Sequence, residues 1–437
     1  MEPLSIIEGL GNKGGTVAIV THGCKLNKSD SDEIARQFVQ AGYRLVEPDE
    51  GPDVFVLNSC TVTHEADAKA RQALRNAHRS NPGAVVVATG CYAQRAPQEL
   101  ASITGVGLVV TNFQKPGLVV LTLSARGQAE TPCAMDEEPG LGPGVSGRTR
   151  AFIKIQEGCN QVCAYCIVPR VRGRERSVPV EELVRQVERC VSEGYREVVL
   201  TGTQLGSYGF DLEGASLESM IGLILERTGI ERLRVSSLQP QEVTPGLLGL
   251  WRDSRLCPHF HMPLQSGSDG VLGRMRRRYT SGEYAFAVEE IRRAAPQASV
   301  TADVIVGFPG ESDAEFEESL AFCEKMPFAG LHVFEYSVRG GTSAAHMRGQ
   351  VSAPAKAERM GRMLALARDK ASAFRRGAVG EVRPVLWEMR KKKGWYEGLT
   401  DHYLRVRTES ESALGNRITQ ARMAAEEGEW VVGEVTK

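Results

Sequence analysis

Three times in the first hundred residues a short β-branched run ends just before a cysteine and is followed by a helix-like segment, and few chain architectures accommodate that arrangement. Thr16 to Thr21 runs into His22-Gly23-Cys24 and a helix expected from Ser29 to about Gly42, opened by Ser and Asp residues suited to capping. Asp53 to Leu57 runs into Asn58-Ser59-Cys60 and a helix from about His64 to Arg79, and Ala84 to Ala88 into Thr89-Gly90-Cys91 and a helix near Ala96. The alternation predicts a parallel α/β sheet, whose strand carboxyl ends line one crevice, with helix amino termini that favour anionic groups there. Any one of these cysteines alone reads as an ordinary buried residue. The same placement three times implies that Cys24, Cys60 and Cys91 share one site, read as a metal cluster with an open iron, with Asn27, Asn58 and Thr61 placed to orient the ligands or simply to make turns.

A second set of thiols is compressed into nine residues, Gly158-Cys159-Asn160-Gln161-Val162-Cys163-Ala164-Tyr165-Cys166. Three thiolates are one short of the four that close a structural cluster or zinc site, so Cys159, Cys163 and Cys166 predict a metal centre with an open position, and open positions do chemistry. Zinc is the rival, but structural zinc sites usually pair two short-spaced ligand couples, and no second couple follows nearby. Ten cysteines in 437 residues, six of them in such contexts, suit metal ligands in a reducing compartment better than a disulfide framework. A net charge of -1 excludes a globally basic nucleic-acid binder. No apolar run approaches the ~20 residues of a membrane span, and the opening MEPLSIIEGLGNKGG lacks a basic-then-apolar signal, so no membrane association and a cytoplasmic location are expected.

The chain is longer than one core usually supports, so several domains are expected: an amino-terminal α/β domain over 1–125, a Gly/Pro/acidic linker over 126–149 that holds the unassigned Cys133, a central domain over 150–376 and a small carboxyl-terminal domain over 377–437. In the central domain strands at Ala151–Ile155, Glu197–Thr201, Arg232–Ser236, His259–Met262, Val300–Val306 and Gly330–Glu335 alternate with helices, the pattern of a parallel barrel or partial barrel. Gln204, Gln265 and Asp303 stand near strand carboxyl ends, where barrels gather their sites. After Gly377 five short strands with turn signals suggest a small β-barrel. There Lys391, Lys392 and Lys393 beside Trp395 and Tyr396, then Tyr403, Arg405 and Arg407, interleave cations with aromatics as RNA-binding β surfaces do.

The CxxxCxxC spacing with Tyr165 before the last cysteine resembles the signature of radical S-adenosylmethionine (SAM) enzymes, and THGCKLN, LNSCTVT and ATGCYAQ resemble the three cysteine boxes of the methylthiotransferase amino-terminal domain. The resemblance implies a partial (β/α)6 barrel and two [4Fe-4S] clusters. The first would chelate SAM and, on reduction, release a 5′-deoxyadenosyl radical. The second would carry the sulfur to be inserted. It places Tyr165 near the adenine and gives Gln204, Gln265 and Asp303 the role of hydrogen-bonding SAM. Arg172 or Arg174 is expected to pair the methionyl carboxylate, and the cluster containing Arg276 and Arg277 to meet RNA phosphates. The last segment resembles the RNA-binding TRAM barrel. The expected partners are tRNA, an electron donor such as flavodoxin or ferredoxin, and a sulfur donor, with a monomer sufficient. RLCPHFHMPLQSGSDGVLGRMRRRYT together with the boxes resembles the branch that methylthiolates N6-threonylcarbamoyladenosine. The alternatives are isopentenyladenosine, a ribosomal-protein aspartate, or a non-catalytic RNA-binding iron-sulfur protein.

Overall fold

The computed structural model describes residues 15–127, 141–143, 147–389 and 392–436, so Cys133 and Lys391 lie outside the described residues. They form two compact units: one runs through Leu141 and takes in Arg170–Arg172, and the other comprises Gly142–Pro169 and the chain from Gly173 onward.

The first unit is a parallel five-stranded sheet in the order β2-β1-β3-β4-β5, built from β1 (Thr16–His22), β2 (Arg44–Leu45), β3 (Val54–Ser59), β4 (Val85–Gly90) and β5 (Val106–Val110). Every residue of central β3 is buried, as an apolar run covered on both faces requires. One face packs Val54 and Val56 on Ile34 and Phe38 of α1 (Lys25–Gln40) and on Leu118 and Leu123 of α5 (Leu118–Ala125). The other packs Phe55 and Leu57 on Ala70 and Leu74 of α2 (His64–Ser80). Helix α1 begins at Lys25 rather than Ser29, because Cys24 itself is the N-cap; Asp30 and Ser31 are therefore buried inside the helix instead of capping it. The helix near Ala96 is two short ones, α3 (Cys91–Arg95) and α4 (Pro97–Ala101), broken at a proline.

In the second unit six parallel strands form an open barrel: β6 (Arg150–Glu157), β8 (Glu197–Gly202) and β9 (Arg232–Val235) in one ladder, and β10 (His259–His261), β11 (Ser299–Val306) and β12 (Gly330–Glu335) in another. Single bridges at Leu233–Leu256 and Ser237–His261 join the two ladders, and β7 (Arg176–Ser177) pairs antiparallel on the outer edge of β6. Alternate residues such as Ile153, Leu200, Leu233 and Val304 pack beneath helices including α7 (Val180–Ser192), α8 (Leu217–Arg227), α11 (Ser281–Ala294) and α12 (Asp313–Lys325). The period of two sends Glu197, Arg234, His259, Thr301 and Asp303 to the other face.

After helix α13 (Ala353–Gly377), strands β13 (Val382–Trp387), β14 (Tyr396–Thr400), β15 (Arg405–Thr408), β16 (Ile418–Glu427) and β17 (Trp430–Val435) close a barrel around Val385, Trp387, Val406 and Met423. Trp387 is the core tryptophan, and Trp395 is only half-buried. The turn between β14 and β15 locks onto the parallel barrel. Arg232 donates to the carbonyls of Leu399 (3.2 Å) and Thr400 (2.8 Å), and Ser299 Oγ donates to the His402 carbonyl (2.6 Å). Tyr403, grouped above with the RNA-facing aromatics, turns inward here with φ of 72°. No described helix is long and apolar enough to cross a membrane.

Candidate functional site: two three-thiol centres

Strand register brings the first three cysteines together. His22 pairs with Ser59 and Ser59 with Gly90, so the residues that follow, through Cys24, Cys60 and Cys91, leave the sheet at the same end. Gly90, at φ 98°, is required: a Cβ there would stand 2.4 Å from the Ser59 carbonyl oxygen. Burial, with the charges of Cys91 and Cys24, pushes the Cys60 thiol up to about 12. Asn27 Oδ1 accepts from Cys24 Sγ (3.2 Å), and Asn27 and Asn58 hold each other through Asn27 Nδ2 to Asn58 Oδ1 (3.1 Å) and Asn58 Nδ2 to the Asn27 carbonyl (2.8 Å). Thr61 instead donates to Asp67 (2.6 Å) and accepts from Arg95 (2.7 Å). Beside them Asp30 receives both Lys115 Nζ and Arg172 Nη1, each at 2.8 Å, with all three side chains buried. Asp30 is thus shared by two cations beside the three thiols. Arg172, expected at the SAM carboxylate, is thus engaged by Asp30 and by Asn27 Oδ1 (3.2 Å), within the first unit.

In the second unit the loop after β6 carries Cys159, Cys163 and Cys166. Gly158, at φ 80°, lets it pass the Arg174 carbonyl, which a Cβ would meet at 1.9 Å. Cys159 N donates to the Gly173 carbonyl (3.1 Å) and Ala164 N to the Met275 carbonyl (2.9 Å), pinning the loop at both ends. Burial and the neighbouring Cys163 and Cys159 push the Cys166 thiol up to about 12. Tyr165 packs edge-on to Phe308, ring centroids 6.4 Å apart, and burial holds its hydroxyl well above its ordinary pKa. Gln204 Nε2 donates to Glu242 Oε1 and its Oε1 accepts from Gln239 Nε2; burial raises the Glu242 carboxyl to about 7. Gln265, at φ 69°, is buried, and its backbone brackets Asp303 and Ile305. Asp303 lies 3.2 Å from His261 Nε2, and His261 Nδ1 is 3.0 Å from Thr301 Oγ1. Arg174 is exposed.

Arg277, expected on RNA phosphate, is turned into this site: Nη1 donates to Cys163 Sγ (3.3 Å), Nη2 to Gln239 Oε1 (2.9 Å) and Nε to the Tyr279 hydroxyl (3.1 Å). Only Arg276, at φ 58°, and Arg278 of that run are exposed. Neither Arg277 nor the Glu242 relay announced itself in the sequence; RRR reads as a solvated run, and Glu242 sits in a turn.

Three thiolates on one zinc, with Zn–S bonds of ~2.3 Å, would stand about 3.8 Å apart. Among the described residues the one trio of His, Cys, Asp or Glu groups whose ligand atoms all lie within 4.8 Å is His261, Asp303 and His332. Neither cysteine trio closes that far, so neither is arranged to hold a single ion. Thiols pushed up by burial also stay protonated until a cation replaces the proton. The surroundings carry buried polar atoms without partners: His22 Nδ1 and Thr89 Oγ1 at the first centre, and Thr203 Oγ1, Ser236 Oγ and the Tyr336 hydroxyl just past strands of the second. Such groups fit ligands bound there.

Two family models match this chain: Uncharacterized protein family UPF0004 over residues 16–111, and the Radical SAM superfamily over residues 153–323. The threonylcarbamoyladenosine tRNA methylthiotransferases MtaB of Bacillus subtilis and Aquifex aeolicus are each 38% identical, covering 90% and 92% of this chain and 90% and 98% of their own. The chain belongs to the radical SAM methylthiotransferases. Within that family a tRNA-2-methylthio-N(6)-dimethylallyladenosine synthase of Syntrophus aciditrophicus is 34% identical over 85% of this chain and 83% of its own. Among solved structures the radical SAM methyltransferase TsrM of Kitasatospora setae shares the fold, with a TM-score of 0.54 at 14% identity over 73% of this chain and 72% of its own.

As a radical SAM methylthiotransferase the chain also carries cations interleaved with aromatics and glutamates on its carboxyl-terminal barrel. Arg405 lies over the Trp430 ring (5.7 Å) and Arg407 over the Trp395 ring (5.0 Å), each also beside a glutamate, Glu429 and Glu427. Lys392 pairs with Glu397 (3.3 Å), Lys393 is exposed at φ 49°, and Tyr396 is half-buried against the barrel core.

Proposed function

We propose that this protein inserts sulfur and a methyl group at carbon 2 of N6-threonylcarbamoyladenosine 37 in tRNA. The observation that carries the reading is the presence of two separate three-thiol centres in one chain that is 38% identical to MtaB enzymes over nine-tenths of its length. When bound, SAM and the two clusters supply a radical able to take hydrogen from an unreactive carbon, and the sulfur that replaces it. Cys159, Cys163 and Cys166 hold the cluster that binds SAM, on the loop that Gly158 permits. Cys24, Cys60 and Cys91 hold the other, with Asn27 and Asn58 ordering the ligand loop. Tyr165 shapes the adenine side of the SAM pocket, and Gln204, Gln265 and Asp303 offer it polar contacts. Arg405, Arg407, Lys392, Lys393 and the exposed Arg276 suit RNA, since arginines lying on indoles present flat, charged platforms to bases and phosphates. An electron donor such as flavodoxin or ferredoxin and a separate sulfur donor complete the cycle, with the enzyme acting as a cytoplasmic monomer.

The test is nucleoside mass spectrometry on tRNA incubated anaerobically with reconstituted enzyme, SAM, sulfide and reductant, with threonylcarbamoyl- and isopentenyl-modified substrates offered together. Methylthio mass gained on the threonylcarbamoyl nucleoside alone supports the reading. Gain on the isopentenyl nucleoside, the chemistry named for the Syntrophus relative, would reassign the substrate. No gain on either, with both clusters assembled, would overturn a tRNA substrate and point to a ribosomal-protein aspartate.

A further inference from the structure

A buried guanidinium without a counter-ion is costly, because arginine cannot shed its proton and its desolvation is offset only by a nearby anion. Arg277, half-buried, has no described carboxylate in contact with it. Its three described hydrogen bonds go to Gln239, the Tyr279 hydroxyl and the Cys163 sulfur, its Cζ lies 4.8 Å from the Tyr279 ring centroid, and no described carboxylate stands within 4.0 Å of it. The Glu242 carboxyl feels the Arg277 charge but spends its hydrogen bonds on Gln239 and Gln204. The Arg277 side chain is also held rigidly: Tyr279, which orients Nε, donates its own hydroxyl to the carbonyls of Pro263 (2.7 Å) and Leu264 (2.9 Å). The fold therefore aims a fixed positive charge at one cysteine of the CxxxCxxC loop, with no described carboxylate in direct contact with it.

We infer that Arg277 is a positioning residue for the cluster held by Cys159, Cys163 and Cys166, hydrogen-bonding the Cys163 thiolate and raising that cluster's reduction potential. This rests on the reading of the loop as a cluster site. Three thiolates supply the missing anion, and a cation with an N–H donor at one sulfur stabilises the more negative, reduced state. A cluster that must deliver one electron to SAM gains from this a larger reduced fraction at a given reductant strength. The charge-run reading of Arg274–Arg278 hides this role, since only the packing of the 275–279 turn sends Arg277 inward while Arg276 and Arg278 face solvent.

The test is an EPR-monitored redox titration of the reconstituted full chain, wild type against Arg277→Gln and Arg277→Lys, with iron and sulfide counted in each. The SAM-sensitive signal marks the CxxxCxxC cluster, and the other cluster serves as an internal reference. Arg277→Gln is expected to lower the reduced fraction of the SAM-sensitive cluster at least tenfold at fixed potential, a negative shift of ~59 mV or more, with the reference unmoved. Arg277→Lys, which keeps the charge, should fall between. An unchanged midpoint in an iron-replete Arg277→Gln protein would overturn the proposal. If Arg277→Gln loses the cluster, Arg277→Lys decides: retention at near-wild-type potential supports the charge, and equal loss in both variants makes Arg277 a packing residue. A wild-type chain with no SAM-sensitive signal would instead refute the cluster reading.

Discussion

The ring of Tyr403 lies flat on that of His259, centroids 4.5 Å apart and planes within 6°. Arg234 covers Tyr403 as well, at 5.0 Å from its centroid, so one side chain of the small β-barrel fills the floor of the parallel barrel. Tyr403→Ala should therefore loosen the attachment of the carboxyl-terminal barrel. The expected cost is ~2–3 kcal/mol, below the ~3–5 of a fully buried aromatic. Tyr403→Phe, which keeps the stack, should retain most of it. Thermal unfolding with limited proteolysis between the barrels checks this; equal melting of Tyr403→Ala and wild type would refute it.

Glu197 makes the same floor acid-sensitive. It is fully buried between Arg232 (2.9 Å) and Arg234 (2.9 Å). Burial alone would raise its pKa, but Arg234, Arg232 and Arg150 hold it at about 2 against a usual 4.5. A depressed carboxyl stabilises the fold fully above its unfolded pKa and loses that contribution as pH falls from about 4.5 towards 2. Glu197→Gln should lose ~3–5 kcal/mol at neutral pH, since two buried guanidiniums are left unpaired, and should show a flatter acid limb. Melting curves from pH 7 to 2.5 for both proteins decide it, and parallel acid limbs would count against the assignment.

Strand positions, and the placement of Cys24, Cys60 and Cys91 just past strand ends, are legible because each depends on local pattern: β-branched runs of period two, and the residues that follow them. Where a side chain's role depends on a partner far along the chain, the sequence is silent. Arg172 and Arg174 look alike in a run of alternating arginines, yet Arg172 is buried on Asp30, 142 residues earlier, while Arg174 is exposed. Tyr403 reads as one more aromatic among cations until a left-handed turn points it at His259. Strand β5 and helix α5 carry no such signal, because VGLVV and LVVLTLSA are short apolar runs without a cysteine box to frame them.

Gly158 offers a test of how strictly the cysteine loop is shaped. Alanine there meets the Arg174 carbonyl at 1.9 Å in addition to the cost of a positive φ, ~1–2 kcal/mol by itself. The backbone must shift and carry Cys159 with it. Gly158→Ala is expected to drop iron from about eight to about four per chain while sparing the first centre. Gly194→Ala, also at positive φ (89°) but with nothing within 4 Å of the added Cβ, should keep the full complement. Equal iron in the two variants would show that the loop tolerates the displacement.

At the first centre the balance of charge is testable through Asp30. It is the carboxylate shared by Lys115 and Arg172, and burial already depresses the Lys115 pKa against the pull of Asp30. Asp30→Ala removes the carboxylate that two buried cations share and should cost ~3–5 kcal/mol. Lys115→Met leaves a matched Asp30–Arg172 pair and should cost far less, because Lys115 then contributes no desolvated charge. Because Lys115 and Arg172 lie beside Cys24, Cys60 and Cys91, assembly of a cluster with three thiolates should recover part of the Asp30→Ala loss, since the cluster brings negative charge close to both cations. Thermal melts of the apo and reconstituted forms of wild type, Asp30→Ala and Lys115→Met measure this. A reconstitution gain no larger in Asp30→Ala than in wild type would show that the two buried cations do not sense the cluster.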